Sequence, residues 1–294
     1  MPVLCEDVPV RSNLSYGGDA WRMSVTVPDP GPILPGQFVH LRCDPARTDP
    51  LLRRPFSIYT LRRHGKRVDV DILYDVVGKG TAALAELEAG DPVGFLGPLG
   101  VPFTPDPGAE RYVMIAGGVG IVPFLFLSED ILARRPRAQI VLFFGARTKA
   151  ALWGLHDFRA LREVEIRTAT IDGTAGHHGL VTEPFGAWLR SCGTPRERLQ
   201  VFTCGPLAML EAVVRLSRRE GFPCQVSMER RMGCGIGVCG ACVTPIRGGA
   251  PGYGDASHYE RICVKGPCFD ADNIYLMDDE NIKVIGSLTG DRVR

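Results

Sequence analysis

Four cysteines near the end of the 294-residue chain have the type and spacing that metal chemistry requires. Cys234, Cys239 and Cys242 follow a C-x4-C-x2-C pattern, and Cys263 follows in the same segment. Thiolates in this order are typical of a plant-type [2Fe–2S] cluster. A structural zinc site is the alternative, but zinc prefers two short C-x2-C units and the segment has one. The spacing therefore predicts a [2Fe–2S] cluster, with Cys263 or the nearby Cys268 as its fourth ligand.

A second group of residues could bind a dinucleotide phosphate. The sequence Arg54-Pro55-Phe56-Ser57 lies on a predicted strand, and Gly80 and Thr81 mark a predicted helix start with Thr81 as the N-cap. The free amides of a helix start suit a pyrophosphate, and Arg54 would add a forked countercharge. A strand that carries one outward arginine is the alternative. The combination favours a flavin site.

Two glycine-containing turns predict a nicotinamide site. Gly117, Gly118 and Gly120 lie between a predicted strand and a predicted helix, and Cys204-Gly205-Pro206 follows another strand. Ligands of open α/β sheets bind at the carboxyl ends of the strands. The first turn lacks the G-x-G-x-x-G fingerprint, so a tight strand-to-helix turn is the alternative.

The elements that must position these residues divide the chain into three predicted domains. Residues 1–105 hold short alternating runs typical of an antiparallel FAD-binding β-barrel. Residues 106–224 alternate strands with helices, which predicts a Rossmann-like NAD-binding domain with a parallel sheet. Residues 225–294 are rich in glycine and cysteine and form the predicted [2Fe–2S] domain, with a flexible surface loop over 248–258.

The composition limits the partners of the chain. The net charge is +1, so no overall field favours nucleic acid or an anionic membrane. No run of about 18 apolar residues predicts a membrane helix, and the acidic N-terminus does not resemble a secretory signal. We therefore expect a cytoplasmic protein whose scattered cysteines are reduced.

Together these motifs resemble the ferredoxin–NADP reductase superfamily over almost the whole chain. Within it, the chain is most similar to the electron-transfer subunits of class 1B dihydroorotate dehydrogenases. The segments that carry this resemblance are RRPFSIY, LYDVVGKGT, LGPLG, GARTK, CGP, ERRMGCGIGVCGAC and RICVKGPCFDA.

The resemblance implies roles for individual residues. Arg54 would bind the FAD pyrophosphate, Phe56 would flank the isoalloxazine in place of the family's tyrosine, and Ser57 would hydrogen-bond near flavin N5. Cys263, rather than Cys268, would complete the cluster. The remaining FAD-lining and phosphate-binding residues implied by the family are Leu73, Tyr74, Asp75, Gly80 and Thr81.

The resemblance also bears on the choice between NADH and NADPH. NADPH-selective relatives place a serine–arginine pair after a strand in mid-domain, where this chain has Asp172. A carboxylate repels a 2′-phosphate and accepts hydrogen bonds from ribose hydroxyls. The alternatives are that Asp172 only begins a turn, and that Arg147 and Lys149 reach the phosphate. We expect NADH.

The three sites together predict an electron-transfer chain through NAD(H), FAD and a [2Fe–2S] cluster. The three domains account for the whole chain and leave no part to bind an organic substrate. The resemblance implies a partner chain, an FMN-bearing (β/α)8 barrel in a heterotetramer. Alternative partners are a hydrogenase, a sulfite reductase or a bifurcating transhydrogenase. A redox sensor is a further alternative, although no output module is visible, and the direction of electron flow is not encoded.

Overall fold

The computed structural model describes residues 2–43, 49–246 and 258–274. It contains a curled antiparallel sheet, a second sheet of parallel strands flanked by helices, and a small C-terminal unit, so the predicted fold class is confirmed. Residues 248–257 of the predicted surface loop lie outside the described residues. Within the described ranges, no helix is long and apolar enough to cross a membrane.

The first sheet has seven antiparallel strands in the order β4-β3-β7-β1-β2-β6-β5. Its apolar face holds Val10, Met23, Val39, Val70 and Phe95, all nearly inaccessible to solvent. The strands are β1 (Val3–Gly17), β2 (Ala20–Pro28), β3 (Phe38–Arg42), β4 (Arg54–Ser57), β5 (Thr60–His64), β6 (Arg67–Asp75) and β7 (Pro92–Leu99).

The turn between β4 and β5 connects the two ends of this sheet. The amide of Ile58 donates to Gln37 O beside β3 (3.3 Å), and the amide of Tyr59 donates to Asp71 O on β6 (2.8 Å). Because one short turn bonds to both sides, the sheet curls into a half-barrel. The strand that carries the predicted flavin motif therefore lies near β6.

One helix interrupts the half-barrel, α1 (Lys79–Ala85). Thr81 was predicted to be its N-cap, but the helix begins two residues earlier and Gly78 occupies the cap position. The Thr81 hydroxyl instead accepts hydrogen bonds from the amides of Val77 (2.9 Å) and Gly78 (3.2 Å). The hydroxyl thus caps the helix from inside its first turn.

The second sheet has the order β11-β10-β9-β8-β12-β13-β16, in which every pair is parallel except β13 with β16. The strands are β8 (Arg111–Gly117), β9 (Gln139–Ala146), β10 (Val164–Thr170), β11 (His177–His178), β12 (Leu199–Cys204), β13 (Cys224–Ser227) and β16 (Cys268–Asp270). The flanking helices are α2 (Val122–Arg134), α3 (Leu155–Arg159), α4 (Thr182–Ser191) and α5 (Leu207–Glu220).

Both faces of this sheet are buried, as a parallel sheet requires. Alternate residues of β8 point to opposite sides, so Ile115 packs in the core with Phe185 of α4, whereas Met114 packs in the core with Phe124 of α2. The helices thus cover the sheet in two layers and leave the carboxyl ends of its strands open for the motif turns.

The C-terminal unit contributes a short hairpin and one strand to this framework. Strands β14 (Val243–Ile246) and β15 (His258–Arg261) pair antiparallel, α6 (Ile262–Lys265) follows, and β16 then joins the edge of the second sheet. The segment that carries the four predicted cluster cysteines therefore leaves the second sheet after β13, and the chain rejoins that sheet at β16.

A partly buried carboxylate connects the two sheets. Asp157 Oδ2, on α3, accepts hydrogen bonds from the hydroxyls of Tyr16 and Tyr59, each 2.6 Å long, and Arg22 Nη1 lies 3.7 Å away. Tyr59 is fully buried, and burial together with Asp157 raises its pKa. We call these four side chains the Asp157 network. It holds the half-barrel against the α/β sheet.

Replacing Tyr59 with phenylalanine should loosen this contact. The variant loses one hydrogen bond to a charged group, which contributes about 1.5–3 kcal/mol. We expect the midpoint of thermal unfolding to fall by about 2–4 °C per kcal/mol. The matched control is Tyr259→Phe, on a half-exposed side chain of β15, for which a change below about 0.5 kcal/mol is expected. Equal melting temperatures for the two variants would contradict the role of the network.

Candidate functional site

The predicted flavin residues lie on β4 and β6, which face each other across the opening of the half-barrel. The rings of Phe56 and Tyr74 meet edge to face at 5.6 Å, and the Tyr74 hydroxyl donates to Asn13 Oδ1 at 3.1 Å. Pro55 and Ser57 of β4 lie opposite the adjacent strand β3. The structure therefore brings the two predicted flavin strands together around a pair of aromatic rings.

Arg54 lies directly over the start of α1. A methyl group added at Gly80 would be 2.3 Å from Arg54 Nε and 2.8 Å from its Cζ, so only glycine admits the guanidinium there. The Arg54 guanidinium also donates to the Leu52 carbonyl. Arg54 and the predicted phosphate-binding turn at Gly80 thus lie next to each other. The Thr81 hydroxyl, however, already forms hydrogen bonds within its own turn.

The carboxyl end of β6 lies beside the second sheet. Leu73 is buried in the core formed with α2 and α3. Burial and the neighbouring Asp19 raise the pKa of Asp75, whereas Arg147 at the end of β9 lowers it. Asp75 is therefore within electrostatic reach of the sheet that carries the predicted nicotinamide turns.

The two predicted nicotinamide turns touch each other. Strands β8 and β12 are parallel neighbours, with Ala116 opposite Cys204. A methyl group at Gly120 would lie 2.2 Å from Cys204 O, and one at Gly205 would lie 2.9 Å from Gly117 N. Glycine is required at these positions because the two backbones are in contact. Gly118, in contrast, has a φ of +53° and open space around its Cα.

The surroundings raise the pKa of the Cys204 thiol and lower the pKa of the Asp172 carboxyl. Burial raises the pKa of the Cys204 thiol to about 12, so the thiol stays neutral. Asp172 Oδ1 accepts hydrogen bonds from the Thr174 hydroxyl (2.6 Å) and amide (3.0 Å), and these lower the pKa of its carboxyl. Asp172 therefore begins a turn, the alternative considered from the sequence, and remains charged. Its amide donates to Arg147 O at 3.2 Å, which brings the acidic and basic candidates together.

The four predicted cluster cysteines form two pairs. The amides of Cys234 and Cys239 each approach the other residue's sulfur, at 3.5 and 3.4 Å. The amide of Cys263 lies 3.5 Å from Cys242 Sγ. Within the described ranges, no three His, Cys, Asp or Glu side chains surround one point as a single metal ion would require. Two pairs of thiols fit a cluster of two irons.

The amides of the loop favour a thiolate at its first cysteine. Burial works against ionisation of Cys234, but hydrogen bonds from the amides of Cys239, Ile236 and Val238 outweigh it and lower its pKa to about 6. Burial and the adjacent Cys242 sulfur raise the pKa of Cys263 to about 12. Since metals bind thiolates, the amides around Cys234 fit the predicted cluster, whereas Cys263 would lose its proton as the metal binds.

Cys268 lies apart from these pairs. It is buried on β16, with its sulfur 3.8 Å from Gly36 O and Ser227 beside it on β13. Burial raises the pKa of its thiol far above the usual range. None of the ten cysteines forms a disulfide.

His40 is a site residue for which the sequence alone gave no prediction. This histidine is inaccessible to solvent on β3, and a methyl group at Gly235 of the cysteine loop would lie 2.7 Å from its Nδ1. Burial, with a smaller contribution from Arg53, lowers the pKa of His40 to about 4. The signal was present in the sequence, because Phe38-Val39-His40-Leu41 places one polar residue within an apolar strand.

Comparison with known protein families agrees with this arrangement. The model for the iron–sulfur cluster binding domain of dihydroorotate dehydrogenase B matches residues 229–275, and the model for an oxidoreductase NAD-binding domain matches residues 114–215. The electron transfer subunit of dihydroorotate dehydrogenase B (NAD(+)) from Desulforamulus reducens is 35% identical over 265 residues, 90% of this chain and 95% of that protein. The Bacillus caldolyticus subunit is 37% identical over 82% of this chain and 87% of its own length.

Solved structures show the same architecture. An NADH-dependent reduced ferredoxin–NADP oxidoreductase studied for flavin-based electron bifurcation superposes with a TM-score of 0.77 at 25% identity, covering 95% of this chain and 93% of that chain. Phthalate dioxygenase reductase, at 18% identity and a TM-score of 0.58, shares the fold over 89% of this chain and 94% of its own. The predicted oxidoreductase class and the predicted cofactors, FAD, NAD(H) and an iron–sulfur cluster, are confirmed.

Substituting Gly80 with alanine tests the position of Arg54. The new methyl group displaces the Arg54 guanidinium, which can move at little cost to folding. The guanidinium then no longer contacts the pyrophosphate of bound FAD. A charge-assisted contact of about 1.5–3 kcal/mol corresponds to an affinity for FAD weakened about 10- to 150-fold. Gly78→Ala is the matched control, because its Cα has open space and an extended φ of 179°. Equal dissociation constants for FAD, measured by flavin fluorescence, would remove Arg54 from the site.

Two serine variants test the fourth cluster ligand. Cys263→Ser should abolish the cluster absorbance and lower the iron content well below two per chain, while FAD stays bound to the half-barrel. Cys268→Ser, a short distance along the chain but in another environment, should keep both irons. Iron analysis and electron paramagnetic resonance of the reduced proteins distinguish them. The opposite pattern would make Cys268 the ligand.

Proposed function

This chain belongs to the family of dihydroorotate dehydrogenase B electron-transfer subunits, and on that basis we propose that it passes electrons between NAD(H) and a catalytic partner chain in pyrimidine biosynthesis. The observation that carries the proposal is the order of the three sites. The nicotinamide turns adjoin β6, β6 faces β4, and β4 pairs with β3, which contacts the cysteine loop. A continuous path through one chain results.

Each group of residues has a distinct task in this proposal. FAD, when bound, supplies the exchange between the two-electron chemistry of NAD(H) and the one-electron chemistry of a [2Fe–2S] cluster. Arg54 and the start of α1 would bind its pyrophosphate, and Phe56 and Tyr74 would exclude water beside its ring. Cys234, Cys239, Cys242 and Cys263 would ligate the cluster. We assign FAD binding to residues 1–105, NAD(H) binding to residues 106–224 and cluster binding to residues 225–294.

The partner would supply the site for dihydroorotate. The elements that the structure describes are assigned here to the three cofactors, so we propose that a second polypeptide binds the organic substrate. We propose an FMN-bearing (β/α)8 barrel as that polypeptide, in a hetero-oligomer. The full names of the related subunits support a separate catalytic chain, since they describe one component of a dihydroorotate dehydrogenase.

A second candidate is a reductase subunit in a bifurcating complex. The similarity that favours it is the TM-score of 0.77 with the NADH-dependent ferredoxin–NADP oxidoreductase over 95% of this chain. The two candidates use the same cofactors in this chain and differ in the partner. They can therefore be separated by the chain that co-purifies.

NADH is the proposed nicotinamide cofactor. The charged Asp172 lies beside Arg147 and Lys149, because the amide of Lys149 donates to Thr174 Oγ1 at 2.8 Å. This carboxylate offsets the basic side chains that a 2′-phosphate would need. The second carboxylate oxygen of Asp172 would accept a hydrogen bond from the ribose.

Affinity purification of the tagged chain from its own cells tests the function. We expect a co-purified chain that binds FMN, and a complex that reduces NAD(+) when dihydroorotate is added, with a higher kcat/KM for NADH than for NADPH in the reverse direction. A complex without FMN that instead reduces ferredoxin would support the second candidate. A kcat/KM for NADPH equal to that for NADH would overturn the role of Asp172.

A further inference from the structure

His40 is a buried polar side chain at the boundary between the flavin strands and the cysteine loop. Its relative exposure is 0%, and neither ring nitrogen has a hydrogen-bond partner among the residues that the structure describes. A buried polar group without a partner destabilises a fold. Its place between the apolar side chains of Val39 and Leu41 indicates a partner of another kind.

The neighbours of His40 show on which side of the imidazole ring a polar partner can lie. On the two strands that pair with β3, the residues opposite His40 are Pro55 and Leu96, whose side chains offer no donor or acceptor. The ring of Phe38 meets the imidazole edge to face at 5.8 Å. Gly235 occupies the remaining side, so close that a methyl group added to its Cα would lie 2.7 Å from Nδ1. The Nδ1 edge therefore faces the loop that carries the cluster ligands.

Gly235 is adapted to this approach in two ways. Its φ of +73° is a conformation that favours glycine, and any side chain would collide with the imidazole. It directly follows Cys234, whose sulfur already accepts hydrogen bonds from the amides of Val238 (3.3 Å) and Cys239 (3.4 Å). The loop amides contact Cys234 and His40 contacts the adjacent Gly235, so the two approach neighbouring residues of the loop from different elements of the fold.

We propose that His40 is a positioning residue for the cluster, and that its Nδ1–H donates a hydrogen bond to a sulfur atom held by the Cys234–Cys242 loop. This inference rests on the proposed ligation of the cluster by that loop. A donor to sulfur stabilises the reduced cluster, which carries the additional negative charge. His40 therefore raises the reduction potential of the cluster and couples the loop to the strand beside the flavin motif.

The test is a redox titration of the purified holoprotein, followed by electron paramagnetic resonance. His40→Leu removes the donor but keeps an apolar side chain of similar reach. We expect the cluster to become at least tenfold harder to reduce at a given solution potential, a shift of about 59 mV for one electron. His40→Asn places an amide nitrogen where Nδ1 lay, so its cluster should have a reduction potential close to that of the unmodified protein. Phe38→Leu, which alters packing beside the ring without a polar atom, should leave the potential unchanged.

Iron content separates the possible failures. If His40→Leu and the unmodified protein both lack two irons per chain, the proposed cluster is wrong. If the cluster is complete in both and the potentials agree, the inference about His40 is wrong and the imidazole is a buried packing residue. In that case His40→Leu should also raise the melting temperature, because it removes an unsatisfied polar group. A shift in Phe38→Leu as large as in His40→Leu would assign the effect to packing.

Discussion

The pairing of β16 with β13 is the contact on which the arrangement of all three sites depends. Among the described strands of the second sheet it is the one antiparallel pair, and it joins the C-terminal segment to the edge of the α/β unit. The same segment touches the half-barrel, because the Val101 amide donates to Gly266 O at 2.6 Å. Gly100 packs so closely that a methyl group there would lie 2.7 Å from Gly266 O. Cys263, a few residues earlier, is thereby held relative to both sheets.

The Asp157 network constrains the two sheets at another place. Hydride transfer requires the reacting atoms to approach within about 3–3.5 Å, so small rotations between the sheets would prevent it. Tyr16 and Tyr59 come from the half-barrel, and Asp157 comes from α3. The C-terminal segment that ends in β16 also contacts both sheets, so two separate contacts limit the rotation of one sheet against the other. Such contacts explain how strands on different sheets can keep the nicotinamide turns beside β6.

Short-range signals in the sequence predicted the fold class and the motifs that belong to single turns. Helices α2 and α5 follow strands β8 and β12, as the predicted alternation of strands and helices over residues 106–224 requires. Helix α4 has a weak local helical preference, because Pro184 and Gly186 interrupt its pattern. Strand β1 has a weak strand pattern, because Glu6 and Asp7 are consecutive and Pro9 lies within it. In both cases packing against the sheet overrides weak local preference.

Long-range contacts account for the parts of the site that could not be predicted. Nothing near His40 in the sequence indicates Gly235, and nothing near Tyr59 indicates Asp157. Each contact depends on how separate units dock, which no local pattern encodes. The glycines are an intermediate case. Gly120 and Gly205 were selected as a turn motif, but their reason for being glycine is that the two turns touch each other.

The cysteines show how environment and spacing act together. Cys204, Cys224 and Cys268 lie on strands or strand ends outside the cysteine loop, and burial raises the pKa of each thiol. Cys234 lies in a loop whose amides point at its sulfur and lower its pKa to about 6. The spacing therefore selects which cysteines can reach two irons, and the loop amides favour the thiolate at the first of them. His40 extends the same principle, because a donor buried beside such a loop has its strongest effect where water is excluded.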